Sequence, residues 1–173
     1  MLNLQQTKDT FYATLRDRIA AGNPARTIVV RGVLRPGVLV VENELPGAAV
    51  DGIAPAEAFC LRWTDLKIDT QNAGALTTLT CEIRYASDGS AGAAGLDRGR
   101  ALAAMDAELA SALAMPPQHA PALAVAEVGA GGSSSTTPAG TNIFWGEPTF
   151  APLVMRGERL ERTAHVEVFG YGC

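Results

Sequence analysis

Between Leu76 and Ser87 the chain reads LTTLTCEIRYAS, with Leu79, Cys81, Ile83 and Tyr85 alternating with Thr80, Glu82 and Arg84. Successive side chains of a strand point to opposite faces, so this run predicts a strand buried on one side only. The stretch before it, FCLRWTDLKID, repeats the pattern with Phe59, Leu61 and Trp63 against Cys60, Arg62 and Thr64. The intervening DTQNAGA is rich in turn formers. The expectation is an antiparallel hairpin with one apolar face, which other elements must cover.

Two helices are available to cover it. Leu4, Phe11, Tyr12, Leu15 and Ile19 recur at helical spacings and leave Lys8, Arg16, Asp17 and Arg18 mainly on other faces, until Gly22, Asn23 and Pro24 stop the run. A second helix is expected over roughly Asp97 to Met115, with Leu102, Met105, Leu109 and Leu113 on one stripe and Pro116 and Pro117 at its end. Each helix has a single apolar stripe, so both pack against one face of the sheet. The predicted class is α+β: a mixed, mainly antiparallel sheet with two helices packed on one face.

More strands are expected on either side. TIVVRGVL from Thr27 and VLVVENE from Val38 flank RPG, where Pro36 fixes φ and Gly37 accepts a positive φ, and they read as two adjacent strands joined by a turn. TNIFWGEPTF and RLERTAHVEVFGY close the chain with β character around a turn at Arg156 and Gly157. The segment at about 118–140 ends in GAGGSSSTTPAG, which lacks large apolar side chains and reads as a flexible loop. A chain of 173 residues that is 47% hydrophobic is of a size for one domain.

The formal charge of −4 and the dispersed arginines argue against electrostatic wrapping of nucleic acid. No apolar run approaches the roughly 18 residues that span a bilayer, and MLNLQQTKDTFYATLRDR has no apolar leader core, so a soluble protein made in the cytoplasm is expected. Cys60, Cys81 and Cys173 have no metal-ligand spacing. Reduced thiols are preferred, with a Cys60–Cys81 disulfide left open if their strands pair in register.

Candidate chemistry is sparse. Glu42 and Glu44, two apart on an expected strand, share a face with Val40; they could ligate a divalent cation or divide acid and base roles, or they could simply close the strand against stray pairing. The second reading is preferred. His119 sits in the proline-flanked PPQHAP, and His165 lies on the last strand with Glu167, but no nucleophile can be named beside either. No nucleophile elbow, zinc-protease helix or phosphate-binding loop is present, and the glycines of GAGGSSS precede no expected helix. Trp63 and Trp145, with Phe59, Phe144 and Phe150, fit core packing better than a ligand-stacking surface. Phe169 and Tyr171 share a strand face with His165 and Glu167, an amphipathic surface that suits a subunit contact.

Taken in order, the helix around FYATLRDRIA, the strands TIVVRGVL and VLVVENE, the helix GRALAAMDAELASAL and the closing IFWGEPTF and ERTAHVEVFGY resemble the tail terminator, or tail-completion, proteins of long-tailed bacteriophages and related contractile particles. The likeness covers nearly the whole chain in element order and size. It implies a structural virion protein rather than an enzyme, made in the host cytoplasm and located in the tail. It further implies a hexameric ring of this chain that caps the finished tail tube and offers a docking face to the head connector or neck protein. The implied partners are other copies of itself, the tail tube protein with the sheath protein as a further candidate, and DNA passing through the lumen without specific binding; no membrane is implied. No catalytic residue, cofactor or metal is implied, and Glu42, Glu44, His165, Glu167, Phe169 and Tyr171 become candidate interface positions. The alternatives are another tail or neck structural protein of such particles (tail tube, head-tail completion), and a small hydrolase or acyltransferase using His165 with Glu167 or the Glu42/Glu44 pair.

Overall fold

The computed structural model describes residues 4–43, 55–71, 75–89, 94, 96–121, 126–128, 134–136 and 142–171. In chain order these form α1 (Leu4–Gly22), β1 (Thr27–Val30), β2 (Val33–Pro36), β3 (Val38–Val40), a 3-10 turn (Val41–Asn43), β4 (Phe59–Asp69), β5 (Leu76–Ser87) and α2 (Asp97–Ala114). Then follow β6 (His119–Pro121), β7 (Ala126–Val128), β8 (Ser134–Thr136), β9 (Asn142–Trp145), β10 (Thr149–Phe150), β11 (Val154–Arg156) and β12 (Arg159–Tyr171).

The alternating run at Leu76–Ser87 is the centre of the main sheet. β4 pairs antiparallel along one side of it, from Cys60↔Arg84 to Asp69↔Leu76, and β12 along the other, from Leu160↔Ser87 to Tyr171↔Leu76. β3 joins β4 in parallel at Val38↔Phe59 to Val40↔Leu61, while β9, β10 and β11 share the far side of β12 and β6 lies outside β9. The sheet is therefore mixed and mainly antiparallel. Its register sets Leu61 and Trp63 beside Ile83 and Cys81, and these in turn beside Ala164 and Val166, as one apolar face.

Both helices lie on that face. α1 buries Phe11, Leu15 and Ile19 at every fourth residue, and α2 buries Leu102, Met105, Leu109, Ala112 and Leu113. The fold is α+β, with two helices on one side of the sheet as the periodicity predicts. Trp63 packs against this core and Trp145 is buried in it, so neither indole forms a ligand surface.

The end of α2 shows what Arg18 does. The last carbonyls of a helix lack intrahelical donors and need others. Arg18 Nη1 donates to the carbonyls of Ala112 (3.0 Å) and Met115 (2.6 Å), Nη2 to that of Pro117 (2.6 Å), and Trp145 Nε1 to that of Leu113 (3.0 Å). The guanidinium also lies 5.0 Å from the centre of the Trp145 ring. A residue expected on a face turned from the core thus ties α1, α2 and the approach to β6 together. Arg18→Met keeps the stem and removes the donors, and should lower unfolding free energy by about 1.5–3 kcal/mol, the range for hydrogen bonds to a charged group. Urea titration measures this, and Arg18→Lys should recover less than half, because an ammonium cannot reach three carbonyls from one planar fork.

Several local expectations need correction. TIVVRGVL is not one strand: Arg31 (φ 51°) and Gly32 (φ 79°) turn it into the hairpin β1–β2, with Val29↔Leu34 and Val30↔Val33 opposed. RPG is not a turn between neighbouring strands. Gly37 is required by close approach, since a Cβ there would stand 2.9 Å from Arg26 Cγ and 3.3 Å from its carbonyl oxygen. Its N–H donates to Arg26 O and its carbonyl accepts from Phe59 N–H, both at 2.8 Å, so it continues the chain into β3. β3 then ends at Val40, and Glu42 lies in the 3-10 turn rather than on a strand. Cys60 pairs with Arg84 and Cys81 with Trp63, on opposite faces of the sheet, so no disulfide joins them. Within the expected loop at 118–140, His119–Pro121 forms an edge strand on β9 and Ala126–Val128 pairs with Ser134–Thr136. The other residues of that segment after Pro121, and Cys173, lie outside the described residues.

Candidate functional site

Period two sends Ala164, Val166 and Val168 of β12 inward, and the same period turns Thr163, His165, Glu167, Phe169 and Tyr171 to the face without helices. Four of the six residues singled out from sequence are therefore together on one surface. The neighbouring strands extend it: Phe144 and Thr78 flank Phe169, Leu76 flanks Tyr171, Thr80 flanks Glu167, and Thr149 and Glu82 flank His165. β6 adds His119, whose ring lies 5.5 Å from that of Phe144, and Tyr171 meets Phe144 edge-on at 6.5 Å. Phe144 is 39% and Tyr171 53% exposed, while Phe169 is half-buried between strands. The result is an aromatic stripe bounded by charge on a sheet face that no helix among the described residues covers.

Register supplies the partner that spacing alone missed. His165 Nε2 lies 3.7 Å from Glu82 on β5, not against Glu167, and Arg84 Nε donates to the same carboxylate at 2.5 Å. Thr149 Oγ1 donates to the backbone carbonyl of His165, so it does not face the imidazole as a nucleophile would. The pair is a surface contact of the kind that contributes little to stability. Glu42 is on the other side of the molecule: its carboxylate is 3.8 Å from Lys8 Nζ, which in turn lies over the Trp63 ring on the helix side. Glu44 lies outside the described residues. The proposed Glu42/Glu44 pair on one strand face is thus overturned in its premise, because the strand stops before Glu42.

A second polar cluster lies where β5, β11 and β12 meet, around a cavity of about 110 Å³ lined by Arg84, Tyr85, Arg156, Glu161, Arg162 and Thr163 among others. Each guanidinium already has a carboxylate: Arg84 with Glu82, Arg156 with Glu161 at 2.9 Å, and Arg162 with Asp106 at 3.1 Å. Tyr85 donates its hydroxyl to Asp106, and burial first, then that bond, push the phenol well above its usual range. A phenol held protonated cannot serve as a base. The cluster ties α2 to the sheet.

No family model matches the chain, and no curated protein matches it. Among the described residues no group of three or more His, Cys, Asp or Glu is placed to hold a metal, and no helix is long and apolar enough to cross a membrane.

One more surface stands out. The β1–β2 hairpin rests Ile28 and Val30 on Leu39 and Cys60, but leaves Val29, Val33 and Leu34 exposed at 63%, 60% and 67%. Sequence reading missed it because Arg-Gly is a weak hairpin signal beside the Asn-Gly or Asp-Gly that such two-residue turns favour.

Proposed function

We propose that this protein is a structural subunit of a long-tailed phage or related contractile particle, a tail terminator whose copies close into a ring on the end of the tail tube and present a docking face to the head connector. The observation that carries the reading is the open sheet face: an aromatic stripe of Phe144, Phe169 and Tyr171, edged by His119, His165 and Glu167, that no helix among the described residues covers. A closed ring needs two unlike surfaces on each subunit, and the open face and the exposed hairpin differ in shape and chemistry. The net charge of −4 is compatible with a lumen through which DNA slides without sticking.

The test is the state of the protein in solution and at tube ends. Sedimentation and negative-stain imaging should find a ring, or a cap on tail tubes assembled in its presence; a chain that stays monomeric and ignores tube ends overturns the reading. Phe169→Asp supplies a residue-level check. Phe169 lies between Phe144 and Thr78 on the outward face, so a charge there should weaken association by roughly 10-fold or more, as loss of an interface aromatic does. The melting temperature of the dissociated subunit should move little. Unfolding in step with dissociation would show Phe169 to be part of the core instead.

A further inference from the structure

We propose that the β1–β2 hairpin of one copy docks as an added strand on the unpaired edge of β4 in the next copy. This deepens the ring reading above and rests on it. β3 covers β4 only at Phe59–Leu61, so among the described residues Arg62–Asp69 presents a row of backbone groups with no strand beside it on that side. A long open edge is a template for another chain unless something blunts it. A bulge at Thr64, between the pairs Trp63↔Cys81 and Asp65↔Thr80, keeps Leu66 and Ile68 on the apolar face, opposite Leu79 and Thr77. They are 45% and 47% exposed.

The hairpin matches this edge in three respects. It is a two-stranded ribbon with its own outer edges unpaired among the described residues. β2 is the strand nearer α1 and ends in Pro36, which has no N–H to give, so β1 is the strand that joins the neighbour. Val29 and Leu34, opposed on the face of the hairpin turned away from Leu39 and Cys60, supply exposed apolar side chains to set against Leu66 and Ile68. The arm carries Arg31 and Arg35 and no carboxylate, and the edge, beside Arg62 and Lys67, carries Asp65 and Asp69 as carboxylates for the arm's arginines to meet. Backbone pairing gives affinity in such strand addition, and the side chains set the register. Arm and edge are different surfaces, so each copy gives one and receives one, the heterologous contact from which rings are made.

The test uses the full chain in two variants. Val29→Lys/Leu34→Lys disables the arm, and Leu66→Lys/Ile68→Lys disables the edge, since lysine on an edge opposes pairing. Each variant alone should sediment as a monomer under conditions where the wild type assembles, with association weakened roughly 30-fold or more. An equimolar mixture should give a one-to-one heterodimer and nothing larger, because only one intact arm and one intact edge remain. If both variants assemble as the wild type does, the ring stands and this contact is wrong. If the mixture stays monomeric, arm and edge do not meet. Should the edge variant fail to fold, hydrogen exchange on the wild type decides: the amides of 62–69 that point away from β5 should become protected as concentration rises through assembly. Protection already present in the monomer, or absent in the ring, overturns the proposal.

Discussion

Arg26→Ala is expected to remove about 3–5 kcal/mol of stability, the usual effect of stripping one partner from a buried ion pair. The Arg26 side chain is only 8% exposed, and that of Glu108 on α2 13%. Its Nε lies 2.9 Å from both Glu108 oxygens and Nη2 lies 2.8 Å from one of them, a fork-on-carboxylate geometry. Nη1 donates to the carbonyl of Glu57 at 3.0 Å and to its carboxylate at 3.2 Å, and the guanidinium lies 5.6 Å from the centre of the Phe59 ring. One side chain thus joins the end of α1, the middle of α2 and the entry to β4. Alanine would leave the Glu108 carboxylate, among the described residues, with the Asn23 amide at 3.2 Å, in a site that water reaches poorly. Urea denaturation of Arg26→Ala, Glu108→Leu and Arg26→Met/Glu108→Leu forms the check. The double variant should recover most of the loss, because replacing both charges removes the unpaired one. A single-variant loss under about 1 kcal/mol would mean that Glu108 is hydrated once Arg26 is gone.

Nothing in the sequence separates Arg26 from Arg31, five residues on, which caps an exposed hairpin. Their roles differ because Gly37 brings the backbone of β3 against Arg26, and that approach is a long-range fact. By contrast, β5 was fully legible. A strand buried on one face has to alternate, and Leu79, Cys81, Ile83 and Tyr85 could satisfy no other period. Both helices were legible for the same reason, each having one stripe to bury. The sharing of a face by His165, Glu167, Phe169 and Tyr171 followed from period two alone. Glu82 as the partner of His165 did not, because it depends on the register of β12 against β5. Glu42 misled because VLVV reads as a continuing strand, whereas pairing with β4 ends at Val40↔Leu61 and the chain then tightens into a 3-10 turn. β6 escaped notice for a related reason: three residues that include Pro121 carry no periodicity, and only the partner β9 makes them a strand.

Phe11→Ala should lower stability by about 3–5 kcal/mol, at the upper end for a buried residue replaced by alanine. Phe11 is 1% exposed and meets two indoles edge-on, Trp63 at 5.9 Å and Trp145 at 5.8 Å. Those indoles stand on β4 and β9, on either side of the central pair β5 and β12, so the single ring of α1 spans the width of the apolar face. The gap left by alanine cannot easily close. Trp145 is held by its bond to Leu113 O and by the Arg18 guanidinium, and Trp63 is fixed by its pairing with Cys81. Phe11→Leu should cost less, roughly 1–2 kcal/mol, since most of the volume is kept. Chemical denaturation followed by tryptophan fluorescence reads both the loss and the altered surroundings of the indoles. Association gives the sharper contrast. Phe11 is on the helix side of the sheet, so the molecules that remain folded should assemble as the wild type does, while Phe169→Asp should show the reverse, a stable subunit that no longer associates. If Phe11→Ala weakens assembly as much as Phe169→Asp at temperatures where both are folded, the helical layer rather than the open sheet face makes the contact, and the proposed interface moves to the other side of the molecule.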